Sequence, residues 1–487
     1  MSSSRSILRF DQFCLDAQRH LLTREAQDVA LSPHLVDILE HLATRPGAIV
    51  TKHALLDRFW PDVHVTENTL TRAIADIRKA IGDDTAMPRY IQTAARRGYR
   101  FVANVTSQPD SGNDDPFREI VRGRAALEGL DARKVAEAVS TFEQAVAAMP
   151  EYAPARVGLA SARLFQYEGT RASNAPQRGW LAQALVHARR ACDLDPMLGD
   201  AWATLGFALA AAGDVEEARA VSRRATALEP TSWRHQFRLS VASWGEERLR
   251  AIARSRSCLI SHRPVLAAML FVARQAFGHA VSAANEGAAA QSRQIAHEGA
   301  PFPAIGLHWL RGLLLLRDGR VGLAIQSFVR EINELRAEQI YAPEFRANAH
   351  IARGFAHLGA DHPGAAVDAF GLALETLACQ GRALIGLHQA LCQMSRAPAA
   401  EPLLAQVDGA VEQLAKSQRL SEAALVKAAA EATRGDRDAA CTTLHNLLEH
   451  APPGHAGWLI PIDPALAAVR THPQYPQLVR LLAARAA

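Results

Sequence analysis

The sequence predicts a mostly α protein in which a small α+β domain precedes a long all-α region of repeated helix pairs. In about the first hundred residues, short segments with period-two alternation flank segments whose apolar residues recur at helical spacing. From Phe117 onward the chain is rich in alanine, and small residues recur with a period of about 34 residues. The 487 residues exceed what one core usually organises, whereas a repeat array accommodates such a length.

Composition indicates a cytoplasmic protein. The six cysteines are scattered without a CxxC pair, which argues for reduced thiols and against a structural zinc site. No run of about 18 apolar residues occurs, so we expect no membrane span, and the N-terminus lacks the apolar segment of a signal peptide. The formal net charge of +4 is small, so any contact with nucleic acid must come from a local patch.

The N-terminal elements follow in a simple order. Alternation over Ile7–Leu31 predicts a small antiparallel sheet. Ser32-Pro33 then starts a helix, because serine is a good N-cap and proline suits the first turn. Pro46-Gly47 ends that helix, and a second helix is expected over Lys52–Trp60.

The stretch Val65–Phe101 contains the strongest functional signal. Apolar residues at helical spacing predict one buried stripe, formed by Leu70, Ile74, Ile77 and Ile81. Successive residues rotate by about 100°, so the opposite side carries Asn68, Arg72, Ala75 and Lys79, with Thr71 and Arg78 on the flank. Arginine and lysine pair with phosphate or guanine, and asparagine pairs with adenine, so this helix suits a major groove.

A cationic hairpin follows the helix. Arg89–Arg100 contains four arginines and no acid, and alternating apolar residues mark two strands. The turn Ala94–Gly98 lifts Arg96 and Arg97 outward, and Gly98 permits tight backbone geometry. A cationic tip beside a recognition helix is suited to a minor groove.

These residues resemble the OmpR/PhoB-type winged-helix domain of bacterial transcription regulators. The matching motifs are LSP at Leu31–Pro33, RPG at Arg45–Gly47, LLDRFWPD at Leu55–Asp62, NTLTRAIADIRKAIGDD at Asn68–Asp84 and YIQTAARRGYRF at Tyr90–Phe101. The resemblance covers about the first fifth of the chain. It implies that residues 5–105 form a DNA-binding domain. It also implies that Asn68–Arg78 enters the major groove while the wing arginines enter the minor groove.

The candidate DNA-binding residues lie on these two elements. They are Asn68, Thr71, Arg72, Arg78, Lys79, Thr93, Arg96 and Arg97. Any one of them can contact either a base or the phosphate backbone, since most protein–DNA contacts go to phosphate. Thr93 is equally well explained as an ordinary strand residue. We interpret Trp60 as a core residue that orients the second helix rather than as a DNA ligand.

The remainder of the chain is predicted to be a polar linker, residues 106–116, and a tetratricopeptide-like solenoid, residues 117–487. The clearest repeat is Gly199–Ser232, in which Trp202, Gly206, Ala218 and Pro230 fall at the offsets of that repeat. Related units end at Pro150, Pro196 and Pro452 or are centred on Gly312–Phe328 and Gly354–Ala373. Thr231–Ala300 departs from the consensus but remains helical in pattern. The tail Trp458–Ala487 is expected to cap the last repeat with Leu466, Val469, Leu478 and Leu481.

Two hypotheses follow for function. The first is a transcription regulator that binds double-stranded promoter DNA and uses its repeats to bind a partner or effector, or to dimerise. The second is a scaffold whose winged helix mediates protein contacts. No nucleotide-binding, nucleophile-elbow or metalloprotease motif is present, so we expect no enzyme activity, cofactor or metal.

Overall fold

The structure, a computed structural model, forms two compact units, Met1–Asp115 and Pro116–Ala487. The described residues are 6–16, 21–24, 27–29, 31, 33–59, 67–85, 87–94, 97–109, 116–255, 262–298, 304–378 and 380–487. Among them, no helix has the length and apolar character required to cross a bilayer.

The first unit opens with an antiparallel sheet of five strands in the order β4-β3-β2-β1-β8. Its strands are β1 Ser6–Phe10, β2 Phe13–Asp16, β3 Leu21–Arg24, β4 Gln27–Val29 and β8 Thr106–Pro109. The predicted N-terminal sheet is therefore present. The prediction that a linker begins at residue 106 is wrong for its first four residues, because β8 pairs with β1 from Arg9↔Thr106 to Ser6↔Pro109. Backbone pairing with a strand a hundred residues earlier leaves no local sequence pattern.

Three helices and a second sheet complete this unit. The helices are α1 Pro33–Ala43, α2 Lys52–Phe59 and α3 Glu67–Ile81. The sheet has the order β5-β7-β6, with β5 Ile49–Thr51, β6 Ile91–Ala94 and β7 Gly98–Phe101. The predicted hairpin is β6–β7. Strand β5 was not predicted from the sequence pattern.

The core of the first unit joins both sheets to the helices. Phe10 and Phe101 meet edge-to-face with ring centroids 5.1 Å apart, and Tyr90 packs on Phe10 and Phe13 at 5.6 and 5.5 Å. These four rings are each at most 2% exposed. Burying a large apolar side chain stabilises a fold by roughly 1.5–3 kcal/mol, so this cluster fixes the β6–β7 hairpin against the N-terminal sheet.

The described part of the second unit contains nine successive helical hairpins, which confirms the predicted tetratricopeptide-like array. The pairs are α4 Pro116–Glu128 with α5 Ala132–Ala148, α6 Ala153–Thr170 with α7 Arg178–Leu194, α8 Gly199–Ala212 with α9 Val215–Leu228, α10 Trp233–Ala242 with α11 Gly245–Arg254, α12 His262–Ala273 with α13 Phe277–Glu298, α14 Leu307–Arg317 with α15 Val321–Glu334, α16 Ala342–Gly359 with α17 Pro363–Thr376, α18 Gly381–Gln393 with α19 Ala397–Lys416, and α20 Leu420–Thr433 with α21 Arg437–His450. Hairpins α10–α11, α12–α13 and α18–α19 lack the residue pattern by which a tetratricopeptide repeat is recognised.

Phenylalanines on second helices pack against glycines of first helices. A Cβ atom added to Gly158 would lie 2.1 Å from the Phe142 ring, and one added to Gly312 would lie 2.3 Å from the Phe328 ring. Both rings are fully buried. The missing Cβ lets a ring fill the space between two helices, which explains why small residues recur in the pattern.

The C-terminal segment covers more than the last repeat. It forms a 3-10 helix, Pro464–Thr471, and α22 Tyr475–Arg485. Leu466, Val469 and Leu478 are buried as predicted, and Leu481 is partly buried. The 3-10 helix also contacts α16, α18 and α20, and α22 reaches α12. The segment therefore binds several repeats together.

Candidate nucleic-acid interface

Helix α3 presents an open polar face because its apolar stripe is fully used in the core. Leu70, Ile74, Ile77 and Ile81 are 0–2% exposed. The residues predicted on the opposite side are all exposed, namely Asn68, Arg72, Ala75 and Lys79. Thr71 is exposed as well, and so is Asp76, the one acid among the residues at 68–79. The face thus offers two cations, an amide and a hydroxyl from one rigid helix.

The wing is the β6–β7 hairpin, and β5 pairs with β7 along one edge of it. The backbone N–H of Arg97 donates to the carbonyl of Ala94 at 2.9 Å, and the carbonyl of Arg97 accepts from the N–H of Lys52 at 3.3 Å. A Cβ on residue 98 would lie 1.9 Å from the Val50 carbonyl oxygen, so only glycine permits this approach. The Arg97 side chain is exposed beside this turn. Arg96, predicted with it, lies outside the described residues.

Arg78 does not belong to the open face. It is 8% exposed, and its Nη2 donates to the carbonyl of Ile91 at 2.6 Å and to Thr93 Oγ1 at 2.9 Å. The expectation that Arg78 projects toward a groove is corrected, because its flank of the helix packs against β6 of the wing. Thr93 has an exposed surface, but its hydroxyl accepts this hydrogen bond. Together the two residues join α3 to the wing.

Asp83 makes a second connection between the helix and the wing. Its Oδ1 accepts from the backbone N–H of Arg89 at 2.7 Å and of Tyr90 at 3.2 Å, and its Oδ2 accepts from that of Ile91 at 2.8 Å. The preceding Gly82 has φ +63°, a left-handed conformation that ends α3 without strain. The sequence pattern did not predict this carboxylate bridge. The only local signal was an acid directly after the helix-terminating glycine.

The start of the wing is also held by the N-terminal sheet. Asp11 Oδ2 accepts from the Tyr90 hydroxyl at 2.6 Å and from Arg89 Nη2 at 2.8 Å. Burial, together with the hydrogen bond to Asp11, raises the pKa of Tyr90, so the phenol stays protonated and donates. This contact links the turn between β1 and β2 to β6. Nothing local in the sequence could have paired residues 79 positions apart.

The predicted site residues that the structure describes thus fall into two groups, exposed residues and residues held by internal hydrogen bonds. Asn68, Thr71, Arg72, Lys79 and Arg97 are exposed, whereas Arg78 and Thr93 bond to each other within the domain. Trp60, interpreted from the sequence as a core residue, lies outside the described residues. Among the described residues, no group of three or more His, Cys, Asp or Glu side chains could hold a metal ion.

Known proteins share this domain. Residues 26–101 match the family described as "Transcriptional regulatory protein, C terminal". Transcriptional activator CadC of Escherichia coli K12 is 28% identical over 100 residues, which is 20% of this chain and 20% of that protein. Transcriptional regulator HilA of Salmonella typhimurium is 39% identical over 92 residues, 19% of this chain and 16% of that protein. The solved DNA-binding domain of E. coli CadC is 25% identical and covers 22% of this chain and 100% of that chain, with a TM-score of 0.20.

The matches and the fold together define a class: the first unit is the winged-helix domain of transcription regulators. Within that class it is of the OmpR/PhoB type, which confirms the resemblance found in the motifs. The chain spans a fifth or less of the length of the two curated relatives, at 20% and 16%. The likeness to them therefore concerns the N-terminal domain.

Proposed function

We propose that this protein is a transcription regulator that binds double-stranded promoter DNA in a sequence-specific manner. Helix α3 enters the major groove and the β6–β7 wing enters the adjacent minor groove. The observation that carries the proposal is the exposed face of α3, where Asn68, Arg72 and Lys79 stand opposite a fully buried apolar stripe. A family match over residues 26–101 supports the same conclusion.

Each side chain has a distinct role in this proposal. Arg72 and Lys79 pair with guanine or phosphate, Asn68 pairs with adenine, and Thr71 bonds to a base edge or a phosphate. Arg97, together with Arg96, approaches the minor groove. Arg78 and Thr93 do not contact DNA directly but hold the wing in position relative to α3.

The repeat region supplies the regulatory input in this proposal. Its hairpins bind a protein partner or effector, or bring two copies of the chain together. Two DNA-binding domains on adjacent half-sites would gain affinity through effective concentration without any new contact. Because the proposed ligand is promoter DNA, we place the protein in the cytoplasm, at the nucleoid when it is bound.

The test is fluorescence polarisation of the full chain with genomic promoter fragments over a salt series. The logarithm of the affinity should fall linearly with the logarithm of salt, with a slope of about −0.9 for each neutralised phosphate. Arg97→Ala should weaken binding to all sequences and reduce the slope by about 1. Arg72→Ala should lose roughly 1–3 kcal/mol of discrimination at one base pair.

Arg133→Ala is the matched control, because Arg133 is an exposed arginine on α5 of the repeat region. It should bind as the unmodified chain does. Salt-independent binding, or equal losses for the control and for Arg97→Ala, would refute the proposed interface.

A further inference from the structure

The repeat array folds back so that its early and late hairpins touch. The N–H of Ile340 donates to the carbonyl of Leu130 at 2.9 Å, and the N–H of Ala132 donates to the carbonyl of Glu338 at 2.8 Å. Arg171, at the end of α6, pairs with Glu344 of α16 at 3.0 Å. We call this line of contacts the seam. Residues about 200 positions apart thus meet along it.

Polar side chains form the part of the seam between the α6–α7 loop and α19. Arg178 Nη1 donates to the carbonyl of Ser417 at 3.0 Å. The Gln413 side-chain amide donates to the carbonyl of Asn174. Each pair is 239 residues apart in sequence. This contact lacks the backbone pairing seen at the first one, so side chains alone hold the two walls together here.

A cavity of about 470 Å³ opens between these two walls. Its polar lining consists of Asn174, Arg178, Gln413, Lys416 and Ser417, and none of the described residues that line it is acidic. The Lys416 ammonium has a carboxylate at 3.6 Å, that of Glu412, but the two side chains are 79% and 73% exposed. Solvent screens such a pair strongly, so the ammonium stays available to another anion.

The start of α7 places Arg178 at the cavity. This helix of 17 residues begins at Arg178, which lines the cavity, and its N-cap Gln177 makes no side-chain capping bond. The backbone N–H of Arg178 donates to the carbonyl of Pro176 at 2.9 Å and that of Trp180 to the carbonyl of Gln177 at 3.0 Å, so the donors that α7 offers here come from the Arg178 side chain. Two cations, two amides and a hydroxyl therefore surround one space.

We propose that this cavity binds a small polyanion carrying carboxylate or phosphate groups. The lining supplies hydrogen-bond donors and positive charge, which are the partners such groups require. The volume lies within the range of about 300–1,000 Å³ found for small-molecule sites and exceeds what a single inorganic ion fills. A bound polyanion contacts both walls of the seam and so stabilises their closed arrangement by mass action. This site lies within the second unit, and its existence does not depend on DNA binding.

Isothermal titration calorimetry on the full chain without DNA tests the proposal. Citrate and pyrophosphate are the probes for carboxylate and phosphate groups, and sodium sulfate at equal ionic strength is the reference. At least one probe should bind with a measurable Kd, and the tighter probe identifies the preferred group. Arg178→Ala with Lys416→Ala should weaken that binding by about tenfold or more, since two charge-assisted contacts are lost.

Two further variants control for charge and for folding. Arg133→Ala with Lys134→Ala removes two charges from exposed residues of α5 and should leave the Kd unchanged. Lys416→Met removes one lining charge from a side chain that is 79% exposed, so it tests the site without disturbing the fold. The proposal is overturned if neither probe binds more tightly than sulfate. It is equally overturned if the α5 variant loses as much affinity as the cavity variants, or if Lys416→Met binds unchanged.

Discussion

Replacing Arg78 should loosen the wing, whereas replacing Arg72 should not. Both residues lie on α3, but Arg78 is 8% exposed and donates to Ile91 and Thr93, while Arg72 is exposed. A hydrogen bond from a charged group contributes about 1.5–3 kcal/mol, and the two bonds share one guanidinium, so they are not independent. We therefore expect Arg78→Ala to destabilise the attachment of the wing by about 2–4 kcal/mol.

Hydrogen exchange followed by mass spectrometry on the full chain measures this loss directly. Since about 1.4 kcal/mol corresponds to a factor of ten, exchange protection over residues 89–102 should fall by roughly 30-fold to 1,000-fold. Arg72→Ala removes the same charge from the same helix and should leave that protection unchanged. It should nevertheless weaken DNA binding.

One result would refute this reasoning. If Arg78→Ala left protection of the wing intact and still lowered DNA affinity as much as Arg72→Ala, Arg78 would act on DNA directly. The proposed role of Arg78 as a positioning residue would then be wrong. A loss of protection confined to α1 or α2 would also contradict it, because neither helix receives the two hydrogen bonds.

Three further predictions concern stability. Asp83→Ala should lower exchange protection at the start of β6, because three backbone N–H groups lose their acceptor; Asp83→Asn, which keeps an oxygen, should lose less. Gly158→Ala should lower the urea midpoint of the repeat unit, since its Cβ would lie 2.1 Å from the Phe142 ring, whereas Gly371→Ala, with nothing within 4 Å, should be neutral or stabilising by up to about 1 kcal/mol. Burial lowers the pKa of His350 to about 4, so the unfolded chain binds the proton more readily between the ordinary value of 6.5 and 4. Stability should therefore fall as pH decreases through that window, and His350→Gln should show a smaller fall in urea titrations; equal pH dependence for both proteins would contradict this.

Periodicity predicted those parts of the domain that depend on one element at a time. The stripe from Leu70 to Ile81 is buried as expected, and the turn before Gly98 closes the hairpin as expected. In both cases the structure depends on neighbouring residues in the sequence. Helical spacing defines the buried face of α3, and the missing Cβ of Gly98 permits a close backbone contact. The exposed residues of α3 follow directly, because they lie opposite the buried stripe.

The role of Arg78 was not predictable in that way. A residue on the flank of an amphipathic helix is exposed or buried according to what packs beside it. Here that neighbour is the carbonyl of Ile91, 13 residues later in a different element. Strands β5 and β8 escaped prediction for a similar reason, since each has only three or four residues and pairs with a distant strand.

In a hairpin that lacks the tetratricopeptide consensus residues, other side chains take over the packing between the two helices. In α10–α11, Arg248 is 2% exposed and its Nε donates to the carbonyls of Ser240 and Ser243, both at 2.9 Å. Its guanidinium also stacks 4.4 Å from the centre of the Trp244 ring. A buried arginine between the two helices therefore donates hydrogen bonds to the carbonyl groups at the end of α10. Packing of this kind preserves the hairpin while removing the small residues by which the repeat is recognised.

Helix α3 and the wing are connected by groups that cross between them. Arg78 runs from α3 to β6, and Asp83 binds the backbone of β6 from the end of α3. Both connections start from the C-terminal part of the helix and fix the position of β6 relative to α3. The distance between the exposed side chains of α3 and Arg97 is then a property of the free domain. In the proposed complex, DNA whose grooves do not match that distance must deform, so we expect sequence-dependent groove geometry to contribute to selectivity in addition to base contacts.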